Sequence, residues 1–317
     1  MDKDDGLSSR KHGFEFRWGH SVHADLTNNP DVLILGFVVH SDNALIIERS
    51  EMDNEDIKRA IQAGWDDMSH SYQMDTRITL DDVHYAPLTP GEREYGLLGD
   101  VRDKEILEIA CGAAQNSIAL AKWGARVTAI DISHKQLAVA RKLVRQENVN
   151  VNLIRADAER LTIFKNSTFD KILSSFGWEF IPDLTVCLQE CFRVLRSGGQ
   201  LVMSTVHPLT AFEWDESLNG LVVTDYFNLP VESWDHNSPK VDHPAMTFFR
   251  TIQETFELLV SNNFTVGRIL EPFPYQIDRM SQDERRQIPY SADYWESQYH
   301  RLQKVPFAII YVAHKPQ

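Results

Sequence analysis

Cysteine is scarce in this sequence, with three residues among 317, at positions 111, 187 and 191. Three cysteines are too few for a disulfide framework or for a zinc site with four cysteine ligands. Cys187 and Cys191 are four residues apart on a predicted helix, a spacing that could serve a metal, but a buried pair of thiols is the simpler interpretation. We therefore expect no bound metal.

Long apolar runs are absent as well. No stretch approaches the roughly 18 consecutive apolar residues of a transmembrane helix. The first residues, MDKDDGLSSRKHG, are polar and contain no apolar core typical of a secretion signal. We therefore expect no membrane partner and a cytoplasmic location.

Basic residues are too few to balance the acidic ones. Lys and Arg number 32 against 46 Asp and Glu, which gives a net charge of −14. Nucleic-acid binding requires clustered Lys and Arg that neutralise phosphates, so this balance predicts no nucleic-acid partner. The hydrophobic content of 43% and charged content of 25% are those of an ordinary globular chain with a sizeable core.

The sequence divides into three regions. Residues 1–53 contain two apolar runs, VLILGFVVH and ALIIE, joined by SDN, which is typical of a β-hairpin. Three interpretations of this N-terminal extension stay open: an appended β element, a dimerisation arm that would make the protein a homodimer, or a poorly ordered segment. Residues 54–100 are a predicted helical cap: apolar residues recur at spacings of three and four from 54 to 72, a loop follows at 84–92, and a short helix is predicted at 92–98. Residues 101–317 are the main domain.

Strands and helices alternate through the main domain. The predicted strands are 104–110, 125–133, 151–158, 169–176, 200–207, 265–272 and 306–314, and the predicted helices are 117–124, 135–148, 184–199 and 250–263. This alternation predicts an α/β fold with a doubly wound, mostly parallel seven-stranded sheet and helices on both faces. Residues 208–247 interrupt it after the fifth strand and are rich in aromatic residues, which is typical of a lid or substrate wall.

The most informative stretch is ILEIACGAAQNSIALAKWGARVTAIDIS. A strand ends in Glu108, a turn of small residues follows, and the next strand ends in Asp131. In doubly wound sheets, ligands bind at the carboxyl ends of the strands. The small residues allow a ligand to lie against the backbone. Asp131 is placed to bind both hydroxyls of a ribose.

A dinucleotide is the competing ligand for this turn. It would require the pattern G-x-G-x-x-G, whereas this turn reads A-x-G-A-A-Q. An acid at position 108 would also repel a pyrophosphate, but it suits the cationic amino-acid part of S-adenosylmethionine. A nicotinamide-dependent oxidoreductase is therefore the weaker alternative.

These motifs resemble those of the class I S-adenosylmethionine-dependent methyltransferases, from about residue 57 to 205 and more weakly to 317. The family's three first-motif glycines correspond to Ala110, Gly112 and Ala114, and VLRSGGQLVMS is similar to its Leu-x-Pro-Gly-Gly signature, with Ser197 in place of proline. The resemblance implies that S-adenosylmethionine is bound and that S-adenosylhomocysteine is released.

The resemblance also implies which residues contact the cofactor. Asp131 would hold the ribose, Asp157 and Ala158 the adenine, and the SSFG segment would flank the methyl donor. The full implied set is Tyr72, Tyr85, Glu108, Ala110, Gly112, Gln115, Asn116, Asp131, Ile132, Gln136, Asp157, Ala158, Glu159, Ser174, Ser175 and Gly177. In this set, Tyr72 and Tyr85 come from the cap, where an aromatic ring beside a sulfonium gains cation–π attraction.

Methyl transfer is an in-line displacement that depends mainly on alignment and desolvation. A base is needed only where the acceptor must lose a proton. The preferred candidate is His207, where the fifth strand meets the insertion, and His84 is the weaker one. Tyr72 is the other expected catalytic residue, because of its place at the methyl donor. Trp178, Phe180, His207 and Trp214 are the expected substrate contacts.

The acceptor is expected to be a small molecule. The motifs that enzymes acting on nucleic-acid amino groups or protein arginines carry after the fourth strand are replaced here by SSFG. The aromatic insertion favours an apolar or aromatic secondary metabolite, methylated on oxygen, nitrogen or carbon. An isoprenoid or terpenoid acceptor is included, although a diphosphate would need cations such as Arg250, Arg279, Arg285 or Arg286 at the cleft. The alternative of another class is a cofactor-binding protein of the same fold that does not methylate.

Overall fold

The computed structural model describes residues 53–290 and 293–317. The predicted hairpin between residues 32 and 48 lies outside the described residues. The strands are β1 Glu105–Ile109, β2 Arg126–Asp131, β3 Val151–Arg155, β4 Phe169–Ser175, β5 Leu195–Val206, β6 Glu213–Asp215, β7 Gly220–Val222, β8 Val231–Trp234, β9 Ala245–Phe248, β10 Thr265–Leu270 and β11 Ala308–His314. The α-helices are α1 Asn54–Thr76, α2 Glu92–Tyr95, α3 Gln115–Lys122, α4 His134–Gln146, α5 Leu184–Val194, α6 Ile252–Ser261, α7 Gln282–Arg285, α8 Asp293–Ser297 and α9 Tyr299–Leu302.

The main sheet has seven strands in the order β10-β11-β5-β4-β1-β2-β3. β1 to β5 are parallel, whereas β11 runs antiparallel to both β5 and β10. The chain winds from β1 towards β3 on one side and then from β4 towards β5 on the other. The order therefore reverses between β1 and β4, which is where a doubly wound sheet binds ligands. The predicted fold class is confirmed.

The strands form where apolar residues are nearly continuous, as expected of parallel strands covered on both faces. In β1, Ile106, Leu107 and Ile109 are fully buried. Two separate core clusters lie on the two faces of the sheet, one containing the inner side of α5 and the other the inner sides of α3 and α4. Cys187 and Cys191 belong to the α5 cluster, and they form no disulfide.

Helix α1 begins at an N-cap, Asp53, whose side chain accepts a hydrogen bond from the backbone N–H of Asp56 at 2.8 Å. Its buried residues Ile57 and Ile61 pack in a cluster with residues of β9. Asp66, one turn further along, accepts a hydrogen bond from Ser133 Oγ at 2.6 Å, just before α4 begins. These contacts fix the cap helix beside the carboxyl end of β2.

The insertion after β5 forms two antiparallel hairpins, β6–β7 and β8–β9. Trp234 in β8 packs edge-to-face on Trp65 of α1, with 6.2 Å between ring centroids. Trp214 in β6 packs instead in a cluster with residues of the C-terminal segment, including Tyr299 and Leu302. The predicted lid therefore consists of two hairpins with different neighbours, and the second one packs on the cap helix.

One predicted boundary is wrong. The sequence placed the pair Gly198–Gly199 at the end of a helix, but α5 ends at Val194 and β5 begins directly at Leu195. Leu195 pairs with Phe169 and Gln200 pairs with Lys171, so four residues of β5 bulge out opposite one residue of β4. Gly198, with φ 72°, accommodates this bulge.

No helix within residues 53–290 and 293–317 has the length and apolar character needed to cross a bilayer.

Candidate active site

A cleft of about 950 Å³, including its open mouth, lies at the carboxyl ends of β1 to β4 and beside α1. Most of the predicted cofactor residues line it. These are Tyr72, Glu108, Ala110, Gly112, Gln115, Asn116, Asp131, Ile132, Gln136, Asp157, Ala158, Glu159, Ser175 and Gly177, and the predicted substrate contact Phe180 joins them. The structure thus brings residues from β1 to β4 and from the cap into one cleft.

The turn after β1 adopts a backbone conformation that favours small residues. Ala110, Gly112 and Ala114 all have positive φ values, of 51°, 54° and 62°. A left-handed backbone strains larger side chains, so the replacement of two glycines by alanine keeps the turn with the least added bulk. At the floor of the cleft, a Cβ on Gly177 would lie only 2.4 Å from the Cβ of Ala110. Position 177 therefore requires glycine.

Asp131 is held by the turn that it faces. Its carboxylate accepts hydrogen bonds from the backbone N–H of Gly112 and that of Ser133, both at 2.8 Å. Burial raises the pKa of Asp131 to about 6, although the two backbone N–H groups act to lower it. The carboxylate is therefore rigid and only partly satisfied, as a ribose-binding group should be.

Glu108 at the end of β1 is almost fully buried and accepts a hydrogen bond from the Ser117 hydroxyl in α3. Burial raises its pKa from the ordinary value to about 8, against the opposing effect of the hydrogen bond. A buried carboxylate without a cationic partner is costly. A cationic ligand beside Glu108 would supply the missing partner.

The loop after β3 carries two acids that contact the cap helix. Lys58 Nζ in α1 lies 2.9 Å from Asp157 and 2.6 Å from Glu159. Burial acts to lower the pKa of Lys58, but the hydrogen bonds to Glu159 and Asp157 prevail and raise it. Glu159 also accepts a hydrogen bond from the backbone N–H of Asp183 at 2.8 Å. Asp157 therefore lies in the cleft as predicted, while Glu159 also has a structural role.

Three amide side chains form a chain across the cleft. Gln115 donates to Gln73 at 2.6 Å, and Gln73 donates to Gln136 at 3.3 Å. The Nε2 group of Gln136 is buried and has no hydrogen-bond partner among the described residues. An unsatisfied buried donor that lines a cleft indicates a ligand acceptor. This unsatisfied donor, the carboxylates of Glu108 and Asp131, and the narrow backbone turn beside Gly177 together fit S-adenosylmethionine.

Asn116 connects α3 to the loop before α2. Its Oδ1 accepts from the backbone N–H of His84 at 2.9 Å, and Ser175 Oγ donates to the backbone carbonyl of His84 at 2.8 Å. His84 lines the cleft, and its imidazole Nδ1 is buried with no partner within the described part of the chain. Burial lowers the pKa of His84 to about 3, despite an opposing interaction with Asn116. His84 is therefore neutral at physiological pH.

The structure does not bring five predicted residues to the cleft. Tyr85 is fully buried elsewhere, and its hydroxyl donates to Glu92 at 2.6 Å. Ser174 in β4 and Trp178 in the short helical turn after it are fully buried and do not line the cleft, and Trp178 Nε1 donates to the Ser174 carbonyl at 3.4 Å. Trp214 packs edge-to-face on His300 of α9, with Arg301 and Lys304 within 6 Å of its ring. The fifth, His207, is described next.

Both ring nitrogens of His207 already have partners. Nδ1 accepts from the backbone N–H of Leu209 at 3.2 Å, and Nε2 is 3.1 Å from Glu271 Oε1. Because Nδ1 is an acceptor, Nε2 carries the proton and donates it to Glu271. Burial lowers the pKa of His207, partly offset by Glu271. His207 therefore joins β5 to the segment after β10 and does not line the cleft.

Sequence reasoning missed several residues of the cleft. Phe176 follows β4 directly and Tyr290 comes from the C-terminal segment, and both line the cleft beside His84. The rings of His84 and Tyr290 are 5.2 Å apart at 74°, and those of Phe176 and Tyr290 are 6.3 Å apart at 89°. The positions of Lys58, Trp65 and Ile78 were also missed. The helical spacing in α1 could have indicated Lys58, since it shares a face with Ile61.

These features define a doubly wound α/β domain with a cleft for a cationic nucleoside. Residues 107–203 match the family described as "Methyltransferase domain". The chain therefore carries a methyltransferase domain, and the resemblance to class I S-adenosylmethionine-dependent methyltransferases is confirmed. The match, from within β1 into β5, contains all four acids that line the cleft, and it does not support the nicotinamide alternative.

A curated relative is the ubiquinone biosynthesis O-methyltransferase of Pseudomonas fluorescens, which is 29% identical over 160 residues. The match covers 50% of this chain and 65% of the relative, so the chain covers less than two thirds of the relative's length.

Two solved structures share the fold. The first is a S-adenosylmethionine-dependent methyltransferase from Mesorhizobium loti, with a TM-score of 0.54, 20% identity, and coverage of 69% of this chain and 94% of that one. The second is the [4+2]-cyclase SpnF, with a TM-score of 0.53, 16% identity, and coverage of 81% of this chain and 96% of that one. At these identities the comparisons show the fold alone.

Proposed function

We propose that this protein transfers the methyl group of S-adenosylmethionine to a hydroxyl group of a small, largely apolar molecule. The observation that carries the proposal is the set of four acids in the cleft, Glu108, Asp131, Asp157 and Glu159, together with the narrow turn after β1. Relatives named as O-methyltransferases support oxygen as the methylated atom. Apolar, aromatic, isoprenoid and terpenoid compounds are all included among the acceptors.

The acids have separate tasks in this proposal. Asp131 binds the ribose hydroxyls, and Asp157 binds the adenine beside Ala158. Glu108 faces the positively charged part of the donor, which gives its buried carboxylate the partner it lacks in the protein alone. The sulfonium supplies an already activated methyl group, so the chain's own work is alignment and exclusion of water. Tyr72, from the cap, is proposed to place an aromatic face beside that charge.

Calorimetry tests the first half of the proposal. Protein titrated with S-adenosylmethionine, S-adenosylhomocysteine and a nicotinamide dinucleotide should bind the first two and not the third. Tight binding of the dinucleotide alone would contradict the assignment of the cleft. The second half is tested by incubation with isotopically labelled donor and a metabolite extract, followed by identification of the labelled product.

The second candidate is a protein that binds the donor without transferring its methyl group. It deserves a test because the same fold occurs in a solved structure named as a [4+2]-cyclase. Release of S-adenosylhomocysteine in the presence of an acceptor supports methyl transfer. Conversion of a substrate with no release of S-adenosylhomocysteine supports the second candidate.

We also propose a cytoplasmic location, which cell fractionation tests. The proposed homodimer is tested by size-exclusion chromatography with light scattering. The proposed three regions, residues 1–53, 54–100 and 101–317, predict that proteolysis cuts near residues 53 and 100.

A further inference from the structure

One end of the cleft is lined by aromatic and apolar side chains instead of acids. We define Tyr72, Ile78, His84, Phe176 and Tyr290 as the acceptor seat. All of them except Phe176 lie outside the matched domain of residues 107–203. The seat adjoins the residues assigned to the donor, because Asn116 and Ser175 hydrogen-bond to the main chain of His84.

His84 is the one member of the seat with a buried nitrogen that has no partner. Its side chain is 6% exposed, and Nδ1 makes no hydrogen bond within the described residues. The hydroxyls of Tyr72 and Tyr290, in contrast, lie 3.4 Å from each other. A buried acceptor without a partner, on a residue that lines a cleft, indicates a ligand that donates a hydrogen bond.

The seat is held in place by distant parts of the chain. Leu88 N–H donates to the Pro289 carbonyl at 3.1 Å, which ties the His84 loop to Tyr290. Phe176 N–H donates to the Ser204 carbonyl at 3.0 Å. Phe176 and Tyr290 have positive φ values of 57° and 59°. Aromatic residues rarely adopt this backbone conformation, so the surrounding structure must impose it.

The charges of the cleft limit the chemical class of the acceptor. Among the described residues that line it, Lys58 is the one Lys or Arg, and it is paired with Asp157 and Glu159. Arg250, which could have received a phosphate, donates instead to the carbonyls of Trp178 and Ile181. A phosphorylated or carboxylated acceptor would meet net negative charge without a cation to compensate.

We propose that the acceptor seat binds a neutral, apolar or aromatic hydroxyl compound, and that His84 Nδ1 accepts its hydroxyl proton. This inference rests on the proposed function. As the new oxygen–carbon bond forms, the sulfur–carbon bond breaks and its electron pair stays on sulfur. The proton moves from oxygen to Nδ1, so the positive charge passes from the sulfonium to the imidazolium, which later releases the proton to water.

A neutral histidine is sufficient for this task. Oxygen that has received the methyl group while still carrying its proton is a much stronger acid than an imidazolium. His84 therefore accepts the proton even though burial disfavours its charged form. Phe176 and Tyr290 hold the apolar body of the acceptor while Nδ1 fixes its hydroxyl.

Binding tests the seat without any turnover. The wild type is first titrated with S-adenosylhomocysteine, because failure at this step would contradict the proposed function rather than the seat. The saturated protein is then titrated with 4-methylphenol and with the anionic 4-methylbenzoate. We expect 4-methylphenol to bind at least 10-fold more tightly than 4-methylbenzoate, because the cleft is acidic, and His84→Phe to weaken 4-methylphenol binding by about 5-fold or more while S-adenosylhomocysteine binding stays within about 2-fold. Equal binding of the two probes by the wild type, or an unchanged affinity of His84→Phe for 4-methylphenol, overturns the proposal.

Turnover tests the proton acceptor. Labelled donor is supplied with a panel of catechol, 4-methylcatechol and 2-methoxyphenol. We expect His84→Phe to lower kcat by about 100-fold or more, the usual range for a lost general base, while the control His314→Phe at the exposed end of β11 stays at the wild-type rate. A wild type that binds S-adenosylhomocysteine but methylates none of the panel overturns the assignment, as does a His84→Phe variant with the wild-type rate.

Chemical rescue separates a base from a structural side chain. Added imidazole should restore turnover to His84→Gly, whereas benzene, a filler of similar size without a nitrogen, should not. Rescue by both compounds would show that His84 only fills space and would overturn its role as the proton acceptor.

Discussion

The backbone N–H of Gly112 donates to the carboxylate of Asp131 at 2.8 Å, which joins the turn after β1 to the end of β2. This one bond fixes the two parts of the chain that a nucleoside must contact together. Asp131 also lines the cleft, and each of its carboxylate oxygens keeps acceptor capacity that a ligand can use. The first prediction follows from this relationship.

Replacing Asp131 by alanine should weaken the binding of S-adenosylmethionine by roughly 1–3 kcal/mol, the usual cost of leaving buried polar groups unpaired. Asn at this position keeps one acceptor for Gly112 and should lose less affinity. Calorimetric titration of both variants measures the difference. An alanine variant with wild-type affinity would remove Asp131 from the ribose site.

Gly177 should tolerate no side chain. In Gly177→Ala, the new Cβ would lie 2.4 Å from Ala110 Cβ and 2.8 Å from Ser174 Oγ. Overpacking of this kind costs about 1–3 kcal/mol of unfolding free energy and shifts the backbone on both sides of the cleft floor, so donor affinity should fall as well. The matched control is Gly220→Ala, where the nearest atom would be 3.7 Å away. Denaturant unfolding and calorimetry should separate the two variants, and equal behaviour would contradict the packing argument.

The ion pairs of Lys58 should stabilise the cap helix. Lys58→Met leaves Asp157 and the nearly buried Glu159 without their cation, and we expect a loss of about 1–3 kcal/mol of unfolding free energy. Arg59, its neighbour in α1, contacts Asp56 on the exposed face, so Arg59→Met should change stability by less than about 0.5 kcal/mol. Urea unfolding measures both values, and similar losses would show that Lys58 contributes no more than a surface pair.

The sequence was sufficient for the parts of the fold that local patterns determine. The apolar runs of β1 to β4 predicted the parallel strands, and the spacing of Glu108 and Asp131 predicted that two acids meet at the strand ends. β5 was placed five residues too late, because the sequence shows the glycine pair but not the bulge that accommodates it.

The aromatic end of the cleft could not be predicted in the same way. Tyr290 comes to His84 through a backbone bond between Leu88 and Pro289, about 200 residues apart in sequence, and no local pattern indicates such a contact. The same limit explains why the sequence predicted Tyr85 and His207 at the cleft although neither lines it. Both lie beside predicted motifs, but tertiary partners, Glu92 and Glu271, turn their polar atoms to other parts of the structure.

The assignment of His207 as a structural residue, and not a catalytic base, can be tested directly. Both of its ring nitrogens are engaged outside the cleft, so His207→Gln should keep wild-type turnover between about pH 6 and pH 9, with a stability loss of about 1 kcal/mol from the weakened bond to Glu271. The measurement is the methylation rate of His207→Gln and of the wild type across this pH range. A large fall in kcat at unchanged donor affinity would restore His207 as the base.

The raised pKa of Glu108 makes stability depend on pH. Between its ordinary value of 4.5 and its value of about 8 in the folded protein, the folded state binds more protons at this group than the unfolded state does. The unfolding free energy must therefore fall as pH rises through this window, because a buried carboxyl has to ionise without a cationic partner. Glu108→Gln is neutral at every pH and removes this dependence.

At about pH 8.5 we expect Glu108→Gln to be more stable than the wild type by roughly 1–3 kcal/mol, because each unit of pKa shift is worth about 1.4 kcal/mol. Near pH 5 the variant should lose this advantage. Glu257→Gln, on the exposed side of α6, is the matched control and should show no such crossover. Saturating S-adenosylmethionine should reduce the wild type's loss of stability at high pH, because a positive charge beside Glu108 stabilises the carboxylate. The same loss with and without the donor would mean that no cationic group binds next to Glu108, and the donor would then have to bind elsewhere.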